Sequence, residues 1–200
     1  MIIKWLINNP VIVGLITILL MYSDWLLTIV QETERKDYYY KHYQSYPINT
    51  IEGNLILRDA VTKKKWINQK HLIIAILIGI GVPFVIMKFP QEICEIFLGY
   101  VWGIFFIVDT QHLSNIIGYK VSRRGLHGML KIHQRTAYLI QSSRYLSTTI
   151  FLIIISVLSQ SHIIYGITVA GVTSTLRQFL WLKKVPSISS EDLPPDEDLK

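Results

Sequence analysis

Ionisable side chains inside long apolar segments are the residues of this sequence that could do chemistry. Five of them lie where they could meet: Asp24, Asp109, His112, Arg144 and Arg177. A charged side chain at the centre of a bilayer costs about 2.5–3.5 kcal/mol on insertion scales. Such residues therefore pair with one another or mark a functional site, and we call this set the polar cluster.

The depth of these residues along their helices predicts that several of them meet. With a rise of about 1.5 Å per residue, Asp24 lies about 20 Å into the first apolar segment and Asp109 about 24 Å into the third. Asp109 and His112 are three positions apart, which places them on one face of a helix. We expect Asp24, Asp109 and His112 to lie in one pocket that opens toward the cytoplasm.

Three kinds of function fit such a cluster. In an accessory or structural membrane protein, the two aspartates would neutralise Arg144 and Arg177 and so hold the helices together. In an intramembrane metal-assisted enzyme, the cluster would bind a divalent metal. In a transporter, the carboxylates would relay a proton or a polar solute. The sequence favours the accessory or structural function and leaves open whether the chain is an enzyme.

The metal hypothesis rests on the donor types, because carboxylate and imidazole suit Zn, Mn or Fe. The first ligands would be Asp24, Asp109 and His112. Further candidate ligands outside the apolar segments are Glu52, His127 and His133. A divalent metal is the one cofactor that the sequence indicates, and no nucleophile motif designates a catalytic residue.

The elements that must position these residues are membrane-spanning helices. Half of the 200 residues are apolar, only 17% are charged, and the mean hydropathy is +0.35. A spanning helix needs about 20 mostly apolar residues. Five segments approach that length: 11–30, 71–89, 93–117, 137–158 and 162–182. The sequence therefore predicts an all-α polytopic membrane protein, with a bundle of about five transmembrane helices within residues 1–184.

The positive charges predict the orientation of this bundle. All but two of the 20 Lys and Arg residues lie in alternate connections or in the ends of the spans next to them, and the exceptions are Lys4 and Lys88. Cytoplasmic connections collect Lys and Arg. We expect a protein of the cytoplasmic membrane whose N-terminus faces outward and whose C-terminus faces inward.

A cytoplasmic insertion, residues 31–70, separates the first two predicted spans. We expect the first helix to continue as far as Tyr46, before the breaker Pro47. A short amphipathic helix is predicted from Asn54. Lys63, Lys64 and Lys65 would then contact anionic lipid headgroups, each worth about 1 kcal/mol near such a surface. The expected partner is the bilayer, and nucleic acid is not.

Small residues at four-residue spacing predict where helices approach closely. They comprise Ala75 and Gly79, Gly99 and Gly103, and Gly166, Ala170 and Ser174. Packing within the bundle is favoured, with a membrane-protein partner or a second copy as the alternative. Residues 185–200 carry acids, serines and prolines, and they predict a disordered acidic tail.

Overall fold

The computed structural model describes residues 2–38, 43–45, 54–125, 130–185 and 187. In chain order its elements are α1 (Ile2–Ile7), α2 (Pro10–Asp37), β1 (Tyr43–Ser45), α3 (Leu55–Thr62), α4 (Gln69–Ile86), α5 (Gln91–Gly125), β2 (Leu130–Ile132), α6 (Gln134–Ser159) and α7 (His162–Leu182). The predicted helical class is confirmed, and the two three-residue strands are an addition to it. Of the predicted acidic tail only Val185 and Ser187 are described, and Val185 is buried.

Four of the described helices are long and apolar enough to cross a membrane. These are Pro10–Asp37, Gln69–Ile86, Gln91–Ser122 and Arg135–Ser159. The fifth predicted span corresponds to α7, which has 21 residues. Arg177 and Gln178 are polar residues near the C-terminal end of α7.

Local sequence explains where these helices begin. Pro10 opens α2, where the missing N–H of proline leaves no hydrogen bond unmade. The Asn68 side chain accepts a hydrogen bond from the Lys70 amide at 3.0 Å and caps α4. His133 caps α6 by accepting from the Arg135 amide at 3.1 Å.

The five long helices form an open row. α4 packs mainly on α2, α2 packs on α5, α5 on α7, and α7 on α6. Trp25 of α2 stacks on His71 near the start of α4, so α2 and α4 are antiparallel. Ser23 of α2 meets Asp109 far along α5, so α2 and α5 are parallel. The predicted bundle is thus a row in which most helices have two principal neighbours.

Small residues make the closest helix approaches, as predicted for packing within the chain. A side chain on Gly99 of α5 would overlap the Ile163 carbonyl of α7, and one on Gly166 would overlap the Ile96 carbonyl. Gly79 of α4 likewise lies against α2, where its neighbour is Gly14. The Gly14 contact had no counterpart in the sequence-based prediction.

Two connections meet at one end of the row, which we call the loop end. β1 and β2 pair in parallel, with Tyr43 opposite Leu130. This pairing joins the segment after α2 to the segment after α5. The expectation that α2 continues to Tyr46 is wrong, since α2 ends at Asp37 and Tyr43–Ser45 form a strand.

The predicted amphipathic helix is also found at the loop end, as α3. The Asn54 side chain accepts a hydrogen bond from the Ile56 amide at 3.0 Å and caps it. Leu57 and Val61 are buried against Trp25 and Ile29 of α2. α3 therefore covers the part of α2 around Trp25 and Ile29, beyond its most apolar stretch.

The three predicted lipid-binding lysines follow α3. Lys63 pairs with Asp59 at 2.9 Å, and Lys64 pairs with Asp37. Lys65 is exposed. Two of the three charges therefore already have carboxylate partners, while lipid contact by these lysines stays a prediction.

Candidate functional site

The interface of α2 and α5 carries a partly buried group of polar side chains. His112 Nε2 lies 3.3 Å from Asp24 Oδ1, and Ser23 Oγ donates a hydrogen bond to Asp109 Oδ2 at 2.7 Å. Because the two helices are parallel, residues of equal depth face each other. The structure thus joins Asp24 directly to His112, and it joins Asp109 to α2 through the neighbour of Asp24.

Both ring nitrogens of His112 have partners on α2. Nδ1 contacts Gln31 Oε1, and Nε2 lies 3.2 Å from Thr28 Oγ1. With the amide oxygen of Gln31 as acceptor, the ring donates from Nδ1 and leaves Nε2 facing the Asp24 carboxylate. A proton on Nε2 would lie between Thr28 Oγ1 and Asp24 Oδ1.

Two carboxylate oxygens at this interface lack hydrogen-bond donors. Asp24 Oδ1 and Asp109 Oδ1 are buried without a hydrogen-bond partner, since the contact of Asp24 Oδ1 with His112 is not aligned as a hydrogen bond. A buried charge without donors is unfavourable. These two oxygens are therefore the least well satisfied polar atoms on the aspartates of the interface.

The predicted neutralisation of Asp24 and Asp109 by arginine is wrong. Arg144 of α6 donates to Asn115 Oδ1 at 3.0 Å, and the guanidinium of Arg177 lies 5.5 Å from the centre of the Trp181 ring. Among the described residues, no Lys or Arg forms an ion pair with either aspartate. The order of helices in the row explains this for Arg144, because α5 and α7 lie between α2 and α6.

Arg177 is linked to the α2–α5 interface through Tyr145 of α6. The buried Tyr145 hydroxyl of α6 lies near Arg177 and Gln178, and the charge of Asp24 also acts on it. Tyr145 is therefore the side chain that connects the far side of the row to this interface, and sequence reasoning missed it.

The predicted metal site gains no ligand set in the described part of the chain. Within it, no group of three His, Cys, Asp or Glu side chains has a geometry that could hold a metal ion. Of the further candidates, His133 caps α6. Glu52 and His127 lie outside the described residues, so the metal hypothesis stays a prediction that depends on them.

The polar interface continues toward the loop end only. There, Gln31 is next to the Tyr119 hydroxyl, and the fully buried Glu32 pairs with Arg35 at 3.0 Å and Lys36 at 3.1 Å. Toward the opposite end, the described α2–α5 contacts are mainly apolar. One exception there is the hydrogen bond from Trp102 Nε1 to Thr17 Oγ1, at 3.0 Å.

A second polar region lies on the other side of α5. Between α5 and α6 there is an open cleft with a volume of about 400 Å³. The residues that line it all have polar side chains: Thr110, Gln111, Ser114, Ser143, Arg144, Ser147 and Thr148. The lining residues of each helix recur three or four positions apart, and this spacing was the sequence signal that could have revealed the cleft.

No known family model, curated protein or solved structure matches this chain.

Proposed function

We propose that this chain is a multi-pass protein of the cytoplasmic membrane, of accessory type, whose α2–α5 interface binds protons supplied from the loop end. The observation that carries the proposal is the convergence of Asp24 and Asp109 around His112 without a Lys or Arg partner among the described residues. Carboxylates held in place by arginine would have served structure alone. Carboxylates that face a histidine can exchange a proton with it.

The proposed membrane arrangement has five spans, with α7 as the fifth. Its support is the contact of α7 with both α5 and α6 along its length, from Gly166 to Gln178. The pairing of β1 with β2 supports one side for both basic connections. The charge asymmetry then favours a cytoplasmic loop end, an outer N-terminus and an inner C-terminus.

A transporter is less well supported by the geometry than a proton-binding accessory protein. A transported proton or solute needs polar groups from one side of the membrane to the other. At the described α2–α5 interface, the apolar contacts around Val13 and Leu98 follow the polar residues. An enzyme that uses a metal would need ligands from the undescribed connections.

Proton binding can be tested by infrared difference spectroscopy of the full-length protein in lipid bilayers, between about pH 5 and pH 8, where histidine changes charge. We expect a carboxyl band in the wild type that disappears in part in Asp24→Asn and in Asp109→Asn. His112→Gln should shift the carboxyl band relative to the wild type, because in the proposed site the imidazole shares a proton with Asp24.

Asp59→Asn is the matched control. Asp59 is an aspartate outside the spans, and its hydrogen bond to Lys63 holds the pKa of its carboxyl below the usual value. Its carboxylate therefore stays charged over this pH range, and the spectrum should not change. A carboxyl band that survives unaltered in both Asp24→Asn and Asp109→Asn would refute the proposal.

A further inference from the structure

The cleft between α5 and α6 has the composition of a ligand site and differs from the α2–α5 interface. All seven of its lining residues are polar, and none of them is acidic. Arg144 is exposed there, and its described partner is the neutral amide of Asn115 at 3.0 Å. The cleft thus presents one uncompensated positive charge among hydroxyl and amide groups.

The depth of the cleft places it at the membrane boundary. Thr110 to Asn115 lie about 28–36 Å along α5 from Gln91, and the hydrocarbon core of a bilayer is about 30 Å thick. The cleft therefore lies where the acyl chains give way to headgroups, on the side of the loop end. Exposed Leu113 and Leu146 lie near it and face the lipid.

We propose that this cleft binds the phosphate group of an anionic glycerophospholipid from the leaflet at the loop end. Arg144 would pair with the phosphate, and the Ser114 hydroxyl would donate to its oxygens. Ser143 and Ser147 already donate to the Ile140 and Ser143 carbonyls, so their hydroxyl oxygens would accept from a glycerol headgroup. The apolar surfaces beside the cleft would receive the acyl chains. A zwitterionic headgroup fits less well, because no carboxylate lines the cleft to pair with its ammonium group.

The site does not depend on the proposed proton binding, because it lies on another face of α5 and shares no side chain with that interface. Two groups of the cleft can accept hydrogen bonds from the hydroxyls of a glycerol headgroup. Ser147 Oγ donates to the Ser143 carbonyl at 2.9 Å and keeps its lone pairs, while Gln111 Oε1 is buried without a partner.

The test is lipid binding to the full-length protein in detergent, measured by native mass spectrometry with added phosphatidylglycerol or phosphatidylcholine. We expect one phosphatidylglycerol to be retained in preference to phosphatidylcholine. Arg144→Gln should weaken this binding roughly tenfold, as expected for losing a hydrogen bond to a charged group. Arg144→Lys should weaken it less, since the charge remains without the two-pronged geometry.

Ser147→Leu provides an independent variant, because the larger side chain fills the cleft without changing a charge. Ser147 is at an exposed position, which tolerates an apolar side chain. It should also weaken phosphatidylglycerol binding. Lys184→Gln is the control, since it removes an exposed positive charge at the end of α7, outside the cleft lining. It should leave the binding unchanged.

Several results would overturn the proposal. Equal binding of phosphatidylglycerol by the wild type and Arg144→Gln would remove the cleft as the site. Displacement of the lipid by millimolar inorganic phosphate would show a site for free phosphate instead. Disulfide-linked dimers of Ser147→Cys in bilayers would show that a second copy of the chain occupies the cleft.

Discussion

The two polar regions of this molecule lie on opposite faces of the same helix, and they are closed in different ways. At the α2–α5 interface, Asp109 and His112 face a parallel neighbour whose side chains meet them within hydrogen-bonding distance. At the α5–α6 cleft, Thr110 and Ser114 face α6 across open space. One short polar stretch of α5 therefore contributes both to an interface where α2 side chains meet its own and to an open cleft.

The difference teaches that depth in the membrane does not decide which polar residues interact. Asp109 and Arg144 lie within a few residues of the same level, yet Arg144 donates to Asn115 on the far face of α5. Rotation about the helix axis and the order of helices in the row separate them. A charge becomes a partner only if its helix is a neighbour on the correct side.

The largest expected effect comes from separating α7 from α5, because α6 is held in the row mainly by α7. Gly99→Val would place a side chain against the Ile163 carbonyl, and overpacking of this kind costs about 1–3 kcal/mol. We expect lipid binding at the cleft to be lost, while the carboxyl signals of the α2–α5 interface remain.

Gly118→Val is the control for that experiment. Gly118 lies on the same helix, and a side chain there would meet nothing within 4 Å among the described residues. Its stability in a thermal unfolding assay should match that of the wild type. Loss of the carboxyl signals in Gly99→Val would show that the two regions are not independent.

An intermediate effect is expected from a double-mutant cycle between the regions. Asp109→Leu and Arg144→Leu should change the free energy of unfolding additively, to within about 0.5 kcal/mol, because the two side chains share no contact. Asp24→Leu combined with His112→Leu should show a coupling of about 0.5–3 kcal/mol, since these two side chains touch. Unfolding in mixed detergent gives both values. A coupling between Asp109 and Arg144 above about 1 kcal/mol would restore the salt-bridge hypothesis.

The smallest expected effect concerns Ser142, beside the cleft. Ser142 is 1% exposed, and its hydroxyl has no hydrogen-bond partner in the described structure. Ser142→Ala removes an unsatisfied buried group, so stability should be unchanged or higher by up to about 1 kcal/mol. Ser147→Ala, at an exposed position, is the comparison. Marked destabilisation by Ser142→Ala would indicate a partner for this hydroxyl.

Sequence reasoning reached the parts of the fold that are set by local periodicity. The apolar lengths predicted the long helices, Asn54 marked the start of α3, and the spacing of Gly99 and Gly103 predicted a close approach within the chain. The shared face of Asp109 and His112 followed from the helical repeat alone.

The parts that sequence reasoning missed depend on contacts between distant segments. The strands β1 and β2 have three residues each, too few for a periodic signal, and they exist because they pair. The false arginine pairs came from assuming a closed bundle, in which α2 and α6 could touch. Glu52 and His127 were predicted on residue type, and they lie outside the described residues.

The helix order in the row constrains how the chain assembles during synthesis. α6 is synthesised before α7, although its main contacts are with α7. α5 also packs on α7, and α6 lies between these two helices in the sequence. Domains and segments fold in the order in which they emerge only when their partners are already present. α6 therefore gains its main packing contacts in the lipid only after α7 has been synthesised, when α2, α4 and α5 are already present.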